Sequence, residues 1–379
     1  MSAPSFPELT LPQMLREHAR QSPQRTAVRQ KDFGIWNPIS WKDYFERAAD
    51  VGHGYRTLGL EAGGHVAVLS ENRIEWVLAQ LGAGLVGAVT IGVYPTSPAS
   101  EVAYVLEHAD AEVIVCEDQE QVDKVMEVRG QLPLLKRIVV VETKGMRNYP
   151  ADLVVSFAAL EKAGAAHRAQ NPGLVEEALA GQSLADTALM IYTSGSTGKP
   201  KGAMLTYGNI RAQAVAVIKK LGLGPDTTHL SYLPLCHVAE QMTTLMAPVY
   251  LGSQINFGES IRTVQEDLRE VAPSMFLGVP RIWEKLHSSI HIRMLETGGL
   301  RRRLFEWAYR TCEPFAETPR DRRSLGQRLR YGISYLLVFR ALQNYVGLRR
   351  ADVAMTGAAP ISPRIVRFFR TIGVKLVEV

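Results

Sequence analysis

The densest chemistry in the chain lies between Thr193 and Gly202, which read Thr-Ser-Gly-Ser-Thr-Gly-Lys-Pro-Lys-Gly. Thr193, Ser194, Ser196 and Thr197 bring hydroxyls. Gly195, Gly198 and Gly202 let backbone N–H groups turn toward one point, and Lys199 and Lys201 stand at the exit. Such a loop suits a polyphosphate; from composition alone a flexible hairpin with solvated lysines fits equally well. It is not a Walker A loop, because Thr193 stands where that motif needs Gly and Pro200 where it needs Ser or Thr. Neither serine has the flanking glycines of a hydrolase elbow. Further on, Cys236 and His237 suggest a thiol–imidazole pair, but neighbours in an extended segment point to opposite faces and cannot readily bond each other. Glu240 reads as an oriented polar partner or as a solvated helix residue. Gly82, Gly84 and Gly87 satisfy the letter of a dinucleotide fingerprint in reversed context: they end a helix and lead into a strand, so close helix packing is the better reading.

The elements that must position these residues follow from periodicity. His65–Ser70, Gly87–Val93, Glu112–Cys116 and Arg137–Val141 read as buried strands. Between them Asn72 with Glu75 marks a helix start followed by Ile74, Val77, Leu78 and Leu81, and Ser97 reads as the N-cap of a helix whose first residue is Pro98. This alternation implies a parallel, doubly wound α/β sheet. The Ala-, Gly- and Glu-rich stretch from Glu161 to Gly181 reads as a seam, dividing the chain into residues 1–180 and 181–379. The second part opens on strands at Thr187–Thr193 and Gly202–Leu205 and a helix at Tyr207–Leu221. Further strands are expected at His229–Leu233, Gln254–Phe257, Ser274–Val279, Asp352–Thr356 and Gly373–Val379.

With 379 residues, 46% hydrophobic and 21% charged, the chain is of globular composition. Cys116, Cys236 and Cys312 match neither a disulfide framework nor a zinc site. No secretory signal is readable at the start and no stretch reaches the ~20 apolar residues of a spanning helix, so a cytoplasmic protein is expected. The net charge of +5 is uneven: thirteen arginines face five carboxylates between His291 and Arg350, a local +8 that leaves −3 elsewhere. A nucleic-acid binder is not expected. The basic insert, at about 285–350, mixes its arginines with Leu304, Phe305, Trp307, Tyr331, Leu336, Leu337, Val338 and Phe339. It fits either peripheral contact with an anionic bilayer or a solvated helical hairpin covering the second sheet.

Tyr192–Gly202 resembles the signature phosphate loop of the adenylate-forming superfamily, which includes acyl-CoA synthetases, luciferases and peptide-synthetase adenylation domains. Ser231–Met242 resembles that family's next motif, Leu277–Lys285 a segment typical of its long-chain fatty acyl-CoA synthetases, including bubblegum-type relatives, and Met355–Ser362 its adenine-contacting segment. The resemblance implies the N-terminal part of such an enzyme, built of two doubly wound α/β subdomains, and ligation of a long-chain fatty acid to coenzyme A through an acyl adenylate formed from ATP. It assigns Ser194, Gly195, Ser196, Thr197, Gly198, Lys199 and Lys201 to the ATP phosphates, Thr193 to Mg²⁺, His237 to the acyl carboxylate, and Gly357, Ala358, Ala359 and Pro360 to adenine. Activation of an aryl or medium-chain acid, or a non-catalytic nucleotide- or lipid-binding remnant, stays open beside it, as do acyl length and oligomeric state. The family's Tyr-Gly-x-Thr-Glu segment and small C-terminal domain follow the strand on which this sequence ends, so the 379 residues alone are expected to be incomplete for catalysis.

Overall fold

The computed structural model describes residues 6–193 and 198–379, apart from the side chain of Arg320. The chain forms two compact units. Residues 1–226 with 231–259 make the first, and Thr227–Leu230 with Ser260–Val379 the second. Residue 180, the expected dividing point, lies inside the first unit.

In chain order the strands are β1 (Thr26–Asp32), β2 (Ile35–Ser40), β3 (His65–Leu69), β4 (Val89–Val93), β5 (Val113–Cys116), β6 (Arg137–Val140), β7 (Val154–Ser156), β8 (Thr187–Thr193), β9 (Lys201–Thr206), β10 (Thr228–Ser231), β11 (Gln254–Phe257), β12 (Met275–Gly278), β13 (Val353–Thr356) and β14 (Leu376–Glu378). The first unit is built on a seven-stranded sheet of order β7-β6-β5-β3-β4-β8-β9, parallel except for the β8–β9 hairpin. Because β8 pairs with β4, the strands on both sides of residue 180 share one sheet. Ala67, Leu69, Ile91, Ile114 and Ile138 face a core completed by helices Ala99–His108 and Gln119–Val128. Alternate residues Val66, Val68, Val113 and Val115 are equally buried, as a sheet covered on both faces requires.

The Glu161–Gly181 stretch is no seam. Its small residues serve the helix Phe157–Gln170, which lies against the helix Trp41–Thr57 so closely that a Cβ on Gly164 would fall 1.7 Å from the Asp50 carbonyl oxygen. Gly82 does the same for helix Ile74–Leu85, where a Cβ would meet Val51 at 2.8 Å. Gly87, at φ +76°, makes the turn into β4. A hairpin that periodicity missed, β1–β2, pairs antiparallel, and β11 joins β1 in parallel.

In the second unit β12, β13 and β14 form a parallel three-stranded sheet. The Leu277–Lys285 segment has a packing role there. Trp283, fully buried, donates its indole N–H to the carbonyls of Gly278 (3.1 Å) and Met355 (3.2 Å), and a Cβ on Gly278 would strike that indole at 2.5 Å. The basic insert is helical at Pro280–Thr297, Gly299–Cys312 and Leu325–Ser334, the last continuing through a π-helical turn at Tyr335–Phe339 into Arg340–Tyr345.

Candidate active site

Thr193 is the last residue of β8 and pairs with Lys201 of β9, so the hydroxyl- and glycine-rich segment connects these two strands in sequence. Ser194, Gly195, Ser196 and Thr197 lie outside the described residues. The return limb is held by the helix Ala99–His108: Tyr104 donates its hydroxyl to the Pro200 carbonyl at 3.0 Å and sits under the Lys199 ammonium, 4.8 Å from ring centroid to Nζ. One turn later His108 hydrogen-bonds the Tyr192 hydroxyl at 2.7 Å. Gly198, the first described residue of the return limb, has φ +148°.

A cavity of about 430 Å³ opens at the C-terminal ends of β4 and β8, the end of a parallel sheet where loops gather around ligands. Thr193, Pro200 and His237 line it together with Tyr94, Ser97 and Glu101. Two residues singled out from distant parts of the sequence, Thr193 and His237, are thus brought to one cavity. Ser97 does not cap its helix. The helix begins at Ala99 behind Pro98 with no side-chain cap, and Ser97 is buried against the cavity instead.

His237 is exposed, and its Nδ1 accepts the Ala239 N–H at 3.1 Å, capping the helix that follows. An accepting Nδ1 puts the neutral ring's proton on Nε2. Cys236 points the other way. It is 2% exposed, burial pushes its thiol up to about 12, and its Cα would lie 2.9 Å from a Cβ on Gly92 of β4. That thiol stays protonated at neutral pH and packs against the sheet.

Two residues hold this segment, and periodicity identified neither role. Glu240 is fully buried, so the solvated-helix alternative is corrected. Its Oε1 accepts from the hydroxyls of Ser231 (2.7 Å) and Thr244 (2.6 Å) and from the Tyr232 N–H (3.1 Å). Asn72 does not start the helix expected after it; Arg73 occupies the cap position of Ile74–Leu85 and no side chain caps it. The Asn72 amide donates to Ser231 Oγ (2.8 Å) and the Leu233 carbonyl and accepts the Leu235 N–H (3.0 Å). These partners outbid a single capping bond. The sole signal in the sequence is a polar side chain just past a buried strand.

Gly357, Ala358, Ala359 and Pro360 follow β13 in the second unit, the last three exposed and Ala358 at φ +70°. Among the described residues no group of three or more His, Cys, Asp or Glu is placed to hold a metal ion, and no helix is long and apolar enough to cross a membrane.

Residues 15–379 match the family described as AMP-binding enzyme. The chain belongs to that family. It is 30% identical over 381 residues to the long-chain-fatty-acid–CoA ligase ACSBG2 of Xenopus laevis, covering 99% of this chain and 51% of that protein. It is 31% identical over 385 residues to ACSBG1 of Rattus norvegicus, covering 97% and 51%. This AMP-binding chain therefore spans about half the length of the curated relatives it matches. The crystal structure of the anthranilate CoA ligase AuaEII in complex with anthranoyl-AMP shares its fold, with a TM-score of 0.69 at 18% identity, covering 99% of this chain and 60% of that one.

Proposed function

We propose that the protein from which this chain comes activates a long-chain fatty acid as its acyl adenylate and passes the acyl group to coenzyme A. The observation that carries this reading is the convergence of Thr193 and His237 on one cavity at the strand ends, with Lys199 and Lys201 on the adjoining hairpin. A carboxylate is a poor electrophile because oxide is a poor leaving group. Attack of its oxygen on the α-phosphate of ATP expels pyrophosphate and leaves the mixed anhydride of the acid with AMP. The coenzyme A thiolate then displaces AMP. In this scheme His237 presents Nε2–H to the acyl carboxylate, and the hairpin with its N–H groups, hydroxyls and lysines takes the phosphates. Gly357, Ala358, Ala359 and Pro360 serve adenine: the first three are small enough to let a flat ring lie against backbone, and Pro360 stiffens the exit. The hydroxyl of Thr193 and the carboxylate of Glu101 are hard oxygen donors in the same cavity and would suit Mg²⁺, which would supply charge neutralisation for the phosphates.

Pyrophosphate exchange with a panel of acids, alongside calorimetry with ATP, tests the reading. Exchange driven by palmitate above benzoate and octanoate supports it, and exchange driven by an aryl or medium-chain acid overturns the substrate. ATP binding without any exchange favours a nucleotide-binding remnant.

For the partner surface we favour a bilayer over a solvated hairpin. Leu325, Leu329, Ile333, Leu336 and Leu337 lie on the solvent side of the helical run 325–345, Leu325 84% and Leu336 70% exposed, with exposed Arg328, Arg330 and Arg340 beside them. An aliphatic stripe edged by arginine complements anionic lipid at the cytoplasmic face of a membrane. Flotation with phosphatidylglycerol vesicles at low salt, weakened at high salt, is the expected result; no flotation at low salt leaves the hairpin.

A further inference from the structure

In the second unit, a cavity of about 830 Å³ lies among the helices Pro280–Thr297, Gly299–Cys312 and Pro363–Thr371. His287 and His291 both line it. Their spacing puts them one turn apart on a single helix face, and their Nε2 atoms are 3.1 Å apart. With nitrogen–metal bonds of ~2.0–2.1 Å, that separation corresponds to a nitrogen–metal–nitrogen angle of about 98°, between the octahedral and tetrahedral values. The rings are seated by aromatic neighbours: Phe368 lies 4.5 Å from His287 and 5.4 Å from His291, centroid to centroid.

We propose that His287 and His291 form a two-imidazole chelate for a divalent cation of the zinc, nickel or copper class, its remaining positions open to the cavity. Two nitrogen donors exclude Mg²⁺ and Ca²⁺, which take oxygen. The helical spacing of the pair is that of metal-binding histidines in zinc proteases, but Ser288 stands where those place the catalytic Glu, so binding without hydrolytic chemistry follows. Glu306 and Glu313 line the same cavity and are engaged elsewhere, Glu306 with Arg302 at 2.9 Å and Glu313 with the Tyr309 hydroxyl at 3.4 Å. Arg310, Arg364 and Arg367 also line it, so an anion completing the metal's coordination meets favourable charge.

The test is calorimetric titration of the tag-free 379-residue chain with Ni²⁺ and Zn²⁺, and Cu²⁺ electron paramagnetic resonance of the same protein. One equivalent is expected, with coupling to two imidazole nitrogens. His287→Ala or His291→Ala should weaken binding at least about tenfold, because the second contact of a chelate forms at high effective concentration, and the double variant should abolish it. Circular dichroism confirms that the variants fold. Equal binding by parent and double variant places the metal on other histidines and overturns the proposal. No binding by the parent overturns it too, leaving the two rings as a hydrogen-bonded pair.

Discussion

At the residue scale, the candidate site separates into groups that line the cavity and groups that hold them. His237 faces the cavity; its neighbour Cys236 is locked into the sheet by Gly92. Accordingly, His237→Ala is expected to lower affinity for a palmitoyl-adenylate analogue without changing affinity for ATP, and Cys236→Ser to leave both unchanged, as read by calorimetry. A Cys236 effect larger than the His237 effect would reverse the assignment. Removing Thr197 and Lys199 together by alanine should weaken ATP binding by about tenfold to a hundredfold, the loss expected for hydrogen bonds to a charged ligand. Asn72→Ala tests the supports. It strips partners from Ser231, Leu233 and Leu235 and should cost about 1–3 kcal/mol in urea denaturation, since buried polar groups are left unpaired.

At the element scale, what orders the first unit is how near its helices can approach. Gly164 and Gly54 let Phe157–Gln170 nest on Trp41–Thr57; a Cβ on Gly54 would stand 2.6 Å from the Leu160 carbonyl oxygen. Gly164→Val is therefore expected to destabilise by about 3 kcal/mol or more, visible as a lower thermal midpoint, because the obstacle is backbone and cannot swing aside. The sequence shows small residues here but not their purpose: low-complexity composition looks the same in a linker as in a tight helix crossing. The strands from Thr187, Gly202 and Gln254 were legible because alternation and turn residues agree locally. The hairpin β1–β2 was not, since Ile35–Ser40 is largely solvent-facing and has no buried alternation to read.

At the scale of the molecule, pH enters through a buried pair. His53 Nδ1 lies 2.8 Å from His167 Nδ1 where the two long helices meet, and His53 is fully buried. Burial first, then the charges of His167, Arg168 and Arg56, push its imidazole down to about 4. Unfolding returns it to the ordinary ~6.5, so the folded state gains nothing from protonation. The contribution is whole above pH 6.5 and is lost as pH falls toward 4, on the order of 3 kcal/mol at most. Urea midpoints from pH 7.5 to 4.5 should fall accordingly, and His53→Leu should flatten that part of the slope.

The sequence by itself determined the class of fold and the two strands, β8 and β9, that flank the hydroxyl-rich loop, because strand alternation and helix periodicity are local properties written within a few residues. Tertiary structure decided the rest. It moved the division between compact units past residue 180 by pairing β8 with β4, and turned Asn72 from a helix cap into a brace for the His237 segment. It also set Tyr104 under Lys199 and buried Glu240 among hydroxyls. Each depends on contacts between residues far apart along the chain, and the free energy of those contacts exceeds the local preferences that a sequence displays.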